Sequence, residues 1–138
     1  MSPELELQDA IVPRLKADTE LMNLVNGVYD QPPDGRWDKP KLGYVTLGET
    51  QFIRDDATCI EGGDVYLTMH AWSRKVGFPA VKEIASAVSG SLHMAPLVLA
   101  SWHLVFIMHQ GTRSFRDPDG LTSHAVIELR AKVHKPLS

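Results

Sequence analysis

Apolar and polar residues alternate over residues 123–133, close to the end of the chain. One side of an extended strand would carry Ala125, Ile127, Leu129 and Ala131. The other side would carry His124, Glu128, Arg130 and Lys132. A period of two residues is that of a β-strand, and a strand with one polar side is typical of an antiparallel sheet with one solvated face. We therefore expect a sheet whose apolar face is covered by helices.

Three further strands are predicted from runs of β-branched and aromatic residues at 44–47, 65–72 and 102–110. Turn residues at 117–120 join the last of these to the 123–133 strand. Together with the helices, the elements predict an α+β fold, with a mostly antiparallel sheet of about four strands and two helical segments packed on one face. A chain of 138 residues is expected to form a single domain over residues 1–138.

Prolines mark the predicted helix boundaries. Ser2 can cap a helix that starts at Pro3, and Pro79 opens a second helix with apolar residues at helical spacing. Pro13 removes a backbone hydrogen bond and is expected to bend or divide the first segment. The turn-forming pair Asn26-Gly27 is expected to end it.

The predicted strand 102–110 is apolar on both sides. Simple alternation would put one set of residues on one side: Trp102, Leu104, Phe106 and Met108. It would put Val105 and Ile107 on the other. Because the helices can cover only one face, we expect the second apolar side to be covered by a partner subunit or by the chain's own loops.

Two segments are candidate contact sites, because loops on a rigid sheet commonly carry binding groups. The polar link 51–63 is expected to be a long, mobile loop rather than a tight hairpin. For the hairpin tip 113–120, a protein contact is favoured over nucleic acid, and a merely solvated hairpin stays open as an alternative. The candidate interface residues are Arg54, Asp55, Asp56, Glu61, Arg113, Phe115 and Arg116.

No catalytic, metal-binding or cofactor-binding motif is predicted. The six histidines lack HExxH or Cys/His pair spacing and are interpreted as strand residues, with His103 and His109 on one strand face. The single cysteine, Cys59, is interpreted as a loop thiol rather than a nucleophile. The glycines do not form a phosphate-binding pattern. We therefore expect neither a cofactor nor an enzyme.

The net charge of -3 hides an uneven distribution. Residues 1–69 contain 6 Lys or Arg and 13 Asp or Glu, whereas residues 70–138 contain 8 and 4. The overall acidity argues against avid binding of nucleic acid. We interpret the split as a basis for pairing an acidic surface of one subunit with a basic surface of the next.

Neither a membrane span nor a secretory signal is predicted. The most apolar stretch, 94–108, is interrupted by polar residues and proline, and is shorter than the about 20 residues that cross a bilayer. The first residues lack the basic region and the apolar core of a signal peptide. We expect a protein made in the cytoplasm, without membrane contact.

Four short motifs follow one another along the chain: YVTLGE at 44–49, TMHAWSR at 68–74 before a helix, LHMAPL at 92–97 and RDPDG at 116–120. In this order and spacing, the sequence resembles the tail completion family of long-tailed bacteriophages, over nearly its whole length. The resemblance implies an α+β subunit of a hexameric ring at the head-proximal end of the tail tube. Such a ring stops tube growth and presents a surface to the head connector.

The resemblance also implies the partners and the location. The partners are further copies of the chain, the tail tube protein and the head–tail connector or adaptor, and DNA passes through the lumen without specific binding. The protein would lie in the tail or neck of a virion after assembly in the bacterial cytoplasm, in a phage or in a phage-derived particle such as a gene transfer agent. We expect segments 51–63 and 113–120 to make the axial or tube-facing contacts, with Asp55, Asp56 and Glu61 lining the lumen.

Two alternatives stay open at this point. The first is a dimeric α+β barrel that binds or oxidises a small ligand between its helices and its sheet. The second is another neck or connector adaptor of the same kind of particle, which shares the partners and differs only in position.

Overall fold

A computed structural model describes residues 2–35, 37 and 39–136. The helices are α1 Pro3–Lys16, α2 Thr19–Leu24 and α3 Pro79–Leu92. The strands are β1 Val25–Tyr29, β2 Gly43–Arg54, β3 Gly62–Ser73, β4 His103–Arg116 and β5 Ser123–His134. They form one sheet in the order β1-β2-β3-β5-β4, in which only β1 and β2 are parallel. The α+β class is confirmed, with five strands instead of about four.

The core lies between the sheet and the helices. Leu7 and Ile11 of α1 and Ile84 of α3 pack in one buried cluster with Met69 of β3 and Ile127 of β5. The alternation predicted for β5 is confirmed on this side, since Ala125, Ile127, Leu129 and Ala131 are all buried there. We call the opposite side of the sheet the open face.

The helix starts agree with the sequence. The Ser2 hydroxyl accepts a hydrogen bond from the Leu5 amide at 3.0 Å, and α3 begins at Pro79. Of the predicted bend or division at Pro13, the division does not occur, because Pro13 lies inside α1, which continues to Lys16. The break comes at residues 17–18, where the Asp18 carboxylate caps α2. The described part of the chain therefore has three helices instead of two helical segments.

Strand β1 was not predicted, because Asn26-Gly27 indicated the end of a helix and not the middle of a strand. The Asn26 side chain instead accepts a hydrogen bond from the Lys41 amide at 3.2 Å. The Tyr29 ring packs over Gly27, where a Cβ atom would lie 2.4 Å from the tyrosine hydroxyl oxygen, so a larger residue would displace the ring. Short parallel pairing between β1 and β2 makes the sheet mixed.

The predicted long loop at 51–63 is wrong in extent. Strand β2 continues to Arg54 and β3 starts at Gly62, so the two strands form a long hairpin and are joined by residues 55–61. Backbone bonds between Ala57 and Ile60 close the tip. Residues 49–51 are polar although they lie in a strand, because this half of β2 is exposed.

Two irregularities in the β4–β5 pairing change which side of the sheet the β4 residues face. Leu104 and Ile107 lie opposite Val133 and Ala131, on the helix side. Phe106 and Met108 lie opposite Lys132 and Arg130, on the open face. The prediction that Leu104 lies on the same side of this strand as Phe106 and Met108 is therefore wrong. His103 and His109, expected on one face, lie opposite His134 and Leu129, on different faces.

Candidate interface surfaces

The β2–β3 tip, residues 54–61, carries four of the predicted interface residues. The Arg54 guanidinium donates to the Glu61 carboxylate at 3.0 Å and lies 3.4 Å from an Asp56 oxygen. Asp56 also accepts the Gly62 amide at 3.0 Å. The structure therefore brings these residues together, in a tip that is held by its own polar contacts.

The electrostatics of the tip reflect these contacts. The hydrogen bond from Arg54 lowers the pKa of the Glu61 carboxyl; partial burial opposes this, and the charge of Lys135, 3.6 Å away, supports it. Asp55 lies 3.7 Å from the Lys132 ammonium. Each tip carboxylate thus has a cation within 4 Å. The tip itself is acidic, and Lys132 and Lys135 beside it balance its charge.

Ion pairs within the chain offset part of the uneven charge distribution. Besides the pairs at the tip, Asp64 on β3 contacts Arg130 on β5 at 3.0 Å. In this pair and in the Asp55–Lys132 and Glu61–Lys135 pairs, an acidic residue of the first half meets a basic residue of the second. We predicted that an acidic surface of one subunit pairs with a basic surface of the next. Only charges without a partner in the same chain are available for such pairing.

The turn that joins β4 to β5 is rigidly built. The Asp119 carboxylate accepts the Leu121 and Thr122 amides at 2.8 and 2.9 Å, and Gly120 has a positive φ of 71°. Hydrogen bonds from Thr122, first from its side chain, lower the pKa of Asp119. Arg74 donates to the Thr122 hydroxyl at 3.3 Å, which ties the segment after β3 to this turn.

Arg113, Phe115 and Arg116 lie on the last part of β4 rather than in the turn itself. The Arg113 guanidinium lies 5.9 Å from the centre of the Phe115 ring. The Arg116 guanidinium lies 5.4 Å from the centre of the Phe78 ring, at the start of α3. Both cations are exposed, and neither forms an ion pair with another described residue.

The two predicted contact segments lie at opposite ends of the sheet. Register places Gly62 beside His134 and His103 at one end, and Ser73 beside Ser123 and Arg116 at the other. Strand β3 has 12 residues between these ends, or a length of about 36 Å. The segments therefore cannot form one contiguous site.

A row of aromatic side chains crosses all five strands on the open face, and sequence reasoning missed it. Its members, one from each strand, are Tyr29, Tyr44, Trp72, His124 and Phe115. Trp72 and His124 are stacked with ring centres 3.7 Å apart. The row follows from the strand register, in which Tyr44, Trp72, His124 and Phe115 are direct cross-strand neighbours. The register itself depends on the bulges of β2 and β4, which the sequence pattern does not show.

At the centre of the row, a chain of polar groups joins two histidines and a carboxylate. Nδ1 of His70 lies 2.7 Å from Nε2 of His124, and Nδ1 of His124 lies 3.3 Å from Asp117. Burial lowers the pKa of both imidazoles; for His70 the charge of His124 adds to this, and for His124 the Asp117 carboxylate opposes it. The fold therefore favours the neutral form of both rings.

The remaining chemistry-bearing residues are spread over the surface. Cys59 is exposed at the β2–β3 tip, in agreement with a loop thiol. Within residues 2–35, 37 and 39–136, no three His, Cys, Asp or Glu side chains form a group that could hold a metal ion. In the same part of the chain, no helix has both the length and the apolar character needed to cross a bilayer.

A shallow concavity of about 260 Å³ lies on the open face between the distorted parts of β2 and β4. Its lining includes Glu49, Gln51, Gln110 and Glu128. Small-molecule sites commonly occupy 300–1,000 Å³ and are mostly apolar. The polar lining and small volume give this concavity no feature that indicates a particular ligand.

Together, these features define a small α+β protein with one helix-covered face, an open face with an aromatic row, and two chemically different ends. The chain belongs to a family described as tail completion protein gp17, whose model matches residues 9–134. The predicted family resemblance is thereby confirmed.

Among solved structures, the chain is similar to one from the virion of a native gene transfer agent particle. The TM-score is 0.85 and the sequence identity is 28%, over 95% of this chain and 96% of that chain. Nearly every element of the fold therefore has a counterpart in that chain. No curated protein matches the sequence.

Proposed function

We propose that this protein is a structural subunit of a phage-like tail, acting as one domain over residues 1–138. Six copies form a ring at the head-proximal end of the tail tube, where the ring stops tube growth and joins the tail to the head connector. The observation that carries the proposal is the family match over residues 9–134, supported by the similarity to a chain of a gene transfer agent virion. The site of action is the virion neck, after assembly in the bacterial cytoplasm.

The two ends of the sheet support contacts with two different partners. The β2–β3 tip, with Arg54, Asp55, Asp56 and Glu61, is polar, and its excess negative charge is balanced by the adjacent Lys132 and Lys135. The opposite end presents Arg113, Phe115 and Arg116 beside a rigid turn. In the proposed assembly, one end faces the tail tube and the other faces the connector.

The charge of the tip is compatible with a position beside the DNA passage. A lumen that attracted phosphate strongly would slow the movement of the genome, because each phosphate neutralised by a cation adds to the binding free energy. Asp55, Asp56 and Glu61 lie close to Arg54, Lys132 and Lys135. A balanced surface of this kind would neither hold nor strongly repel DNA.

The alternative of a ligand-binding barrel has less support. The family match and the similarity to a chain of a virion both favour a tail protein over a dimeric barrel with a ligand site. Catalysis has no part in the proposed role, in which the protein acts through its surfaces. A second neck or adaptor position in the same particle would use the same partners and is distinguished by imaging the particle.

Native mass spectrometry of the purified chain, alone and with the tail tube protein, tests the proposal. We expect a ring with six copies in at least one of the two samples. A strict monomer or a dimer in both samples would overturn it. Reconstruction of the assembled particle should place the ring between tube and connector, and density for this chain elsewhere would refute the position.

A further inference from the structure

Large apolar side chains are exposed along both lateral edges of the sheet. At the β2 edge, Ile53 is 47% exposed, and at the β4 edge Val105 is 50% exposed. Met94 and Met108 add to the apolar surface at the β4 edge, since the Met94 amide donates to the Ile107 carbonyl of β4 at 2.7 Å. Single exposed apolar residues are common, but an exposed isoleucine on one edge and an apolar group on the opposite edge can together form two surfaces that meet a partner.

Both edges also present backbone groups that the sheet does not use. Strand β1 pairs with β2 only as far as Thr46, so the half of β2 from Leu47 to Arg54 has no strand on its outer side among the described residues. Strand β4 is the last strand on the other side. Beyond His109, whose amide donates to His93 Nδ1, no described segment outside the sheet bonds to the backbone of β4. The free part of β4 therefore starts beyond the contacts of residues 93–94 with Ile107 and His109. Unprotected stretches of this kind are sites where another chain can pack or pair.

The apolar residues of the two edges lie at the same height along the strands. Register connects Ile53 on β2 to Asp64 on β3, Lys132 on β5 and Phe106 on β4. A second copy placed beside the first, without a shift along the strands, would therefore bring Ile53 of one chain next to Val105 and Phe106 of the other.

The unpaired charges of the two edges have opposite signs. Glu49 at the β2 edge and Arg113 at the β4 edge are both exposed, and neither has an ion pair within the described part of the chain. Glu49 lines the concavity of the open face, and Arg113 lies on that same face opposite Val126. Glu49, whose amide donates to the Thr68 hydroxyl, is level with Gly111 of the next copy in this placement, two residues from Arg113. The two long side chains therefore have to reach along the strand to meet.

We propose that the β2 edge of one copy packs against the β4 edge of the next copy. The two contacting patches differ from each other, so the contact is heterologous, and repeated rotation by the same angle closes a ring. The inference rests on the proposed ring and names its subunit interface. It uses Arg113 from one end of the sheet, and leaves the β2–β3 tip and the Phe115 and Arg116 side chains of the opposite end free for the tube and the connector.

Two exposed valines provide a matched test. Val105→Asp places a charge in the β4 edge, whereas Val76→Asp changes a residue that is 99% exposed in the loop before α3, away from both edges. In native mass spectrometry and sedimentation velocity, Val105→Asp should raise the concentration for half-assembly about tenfold or more, and Val76→Asp should leave it unchanged. Because both residues are at the surface, both variants should keep the unfolding midpoint of the unaltered chain.

Charge reversal tests the pairing itself. Glu49→Arg and Arg113→Glu should each weaken the ring, and the double variant should restore it. Rings that persist in Val105→Asp, or a double variant no better than the single ones, would overturn the edge interface while leaving the ring in place. If the unaltered chain forms no ring with the tube protein, the proposed function itself fails, and the edge contact fails with it.

Discussion

Glu6 connects helix α1 to the segment that leads into β4. Its buried carboxylate accepts hydrogen bonds from the Ser101 amide at 2.6 Å and the Trp102 amide at 3.0 Å, and also from the Ser101 hydroxyl. Burial alone would raise the pKa of Glu6, but these hydrogen bonds outweigh it, and the pKa is lowered. A charged group is stable at this position because three donors from one segment surround it.

Replacing Glu6 by alanine should therefore destabilise the fold. The substitution leaves the Ser101 and Trp102 amides without their acceptor, for an expected loss of about 2–4 kcal/mol in the free energy of unfolding. Urea denaturation at neutral pH measures this loss. Asp9→Ala, an exposed position on the same helix, is the matched control and should change the stability by less than about 0.5 kcal/mol. Equal losses in the two variants would contradict the assigned role of Glu6.

The His70–His124 pair makes the stability depend on pH in a defined direction. A second proton on the pair would bring two N–H groups face to face across the 2.7 Å contact. Because the folded pKa of each imidazole is lowered below the unfolded value of about 6.5, the unfolded chain binds more protons as the pH falls through that value. The contribution of the pair is thus fully present above that pH and is lost on acidification.

We expect the unfolding midpoint to fall between pH 7.5 and pH 5.5, and to fall less in His70→Gln. This range separates the histidines from Glu6, Glu61 and Asp119, whose carboxyl pKa values are lowered and which titrate at more acidic pH. His103→Gln, a histidine outside the pair, is the control. An undiminished fall in His70→Gln would show that other groups cause the pH dependence.

The elements that the sequence predicted well are those in which local signals agree with burial. In β5, residues on alternate positions are buried by the helices, so the period of two is visible in the sequence. Helix α3 has a proline start and a continuous buried stripe that includes Val81, Ile84 and Val88. At these places, the sequence pattern and the packing give the same answer.

The elements that the sequence did not predict depend on contacts between distant residues. Strand β1 contains Asn26 and Gly27, which are typical of turns; in the fold, the Asn26 side chain accepts the Lys41 amide and the Tyr29 ring packs over Gly27. The sides of β4 depend on two bulges that are set by its pairing with β5. The sequence identified the candidate interface residues at the two ends of the sheet. It did not show that the ends are far apart or that an aromatic row exists, because both depend on the register of the strands.

The β2–β3 tip can be shortened without removing any residue of the core. The Asp55 amide donates to the Gly62 carbonyl at 2.8 Å, so a two-residue Asn-Gly turn can replace residues 56–61. Surface ion pairs contribute roughly 0–1 kcal/mol each, so the unfolding midpoint should change little. If the tip contacts tube or connector, electron microscopy should show tails of irregular length or tails without heads. Normal tails joined to heads would remove the tip from the proposed contacts.

For the whole molecule, the placement of charge matters more than its total. Three acidic residues of the first half are paired with basic residues of the second half, at distances of 3.0 to 3.7 Å. These contacts stabilise the β2–β3 hairpin against β5 and the segment after it. A few charged side chains without an ion pair to another described residue remain available to contact another copy. Examples are Glu49 at the β2 edge and Arg113 at the β4 edge.

The assembly should therefore respond to salt, but only in part. Raising the ionic strength from about 0.1 M to about 1 M shortens the screening length from about 10 Å to about 3 Å, which weakens an exposed Glu49–Arg113 contact between copies. The apolar contact between Ile53 and Val105 is not screened. We expect the concentration for half-assembly to rise about threefold to tenfold, with rings still forming, as measured by sedimentation equilibrium. Glu49→Gln should show a smaller rise, because one of the two charges is absent. Tighter assembly at high salt in both proteins would mean that apolar burial alone holds the copies together.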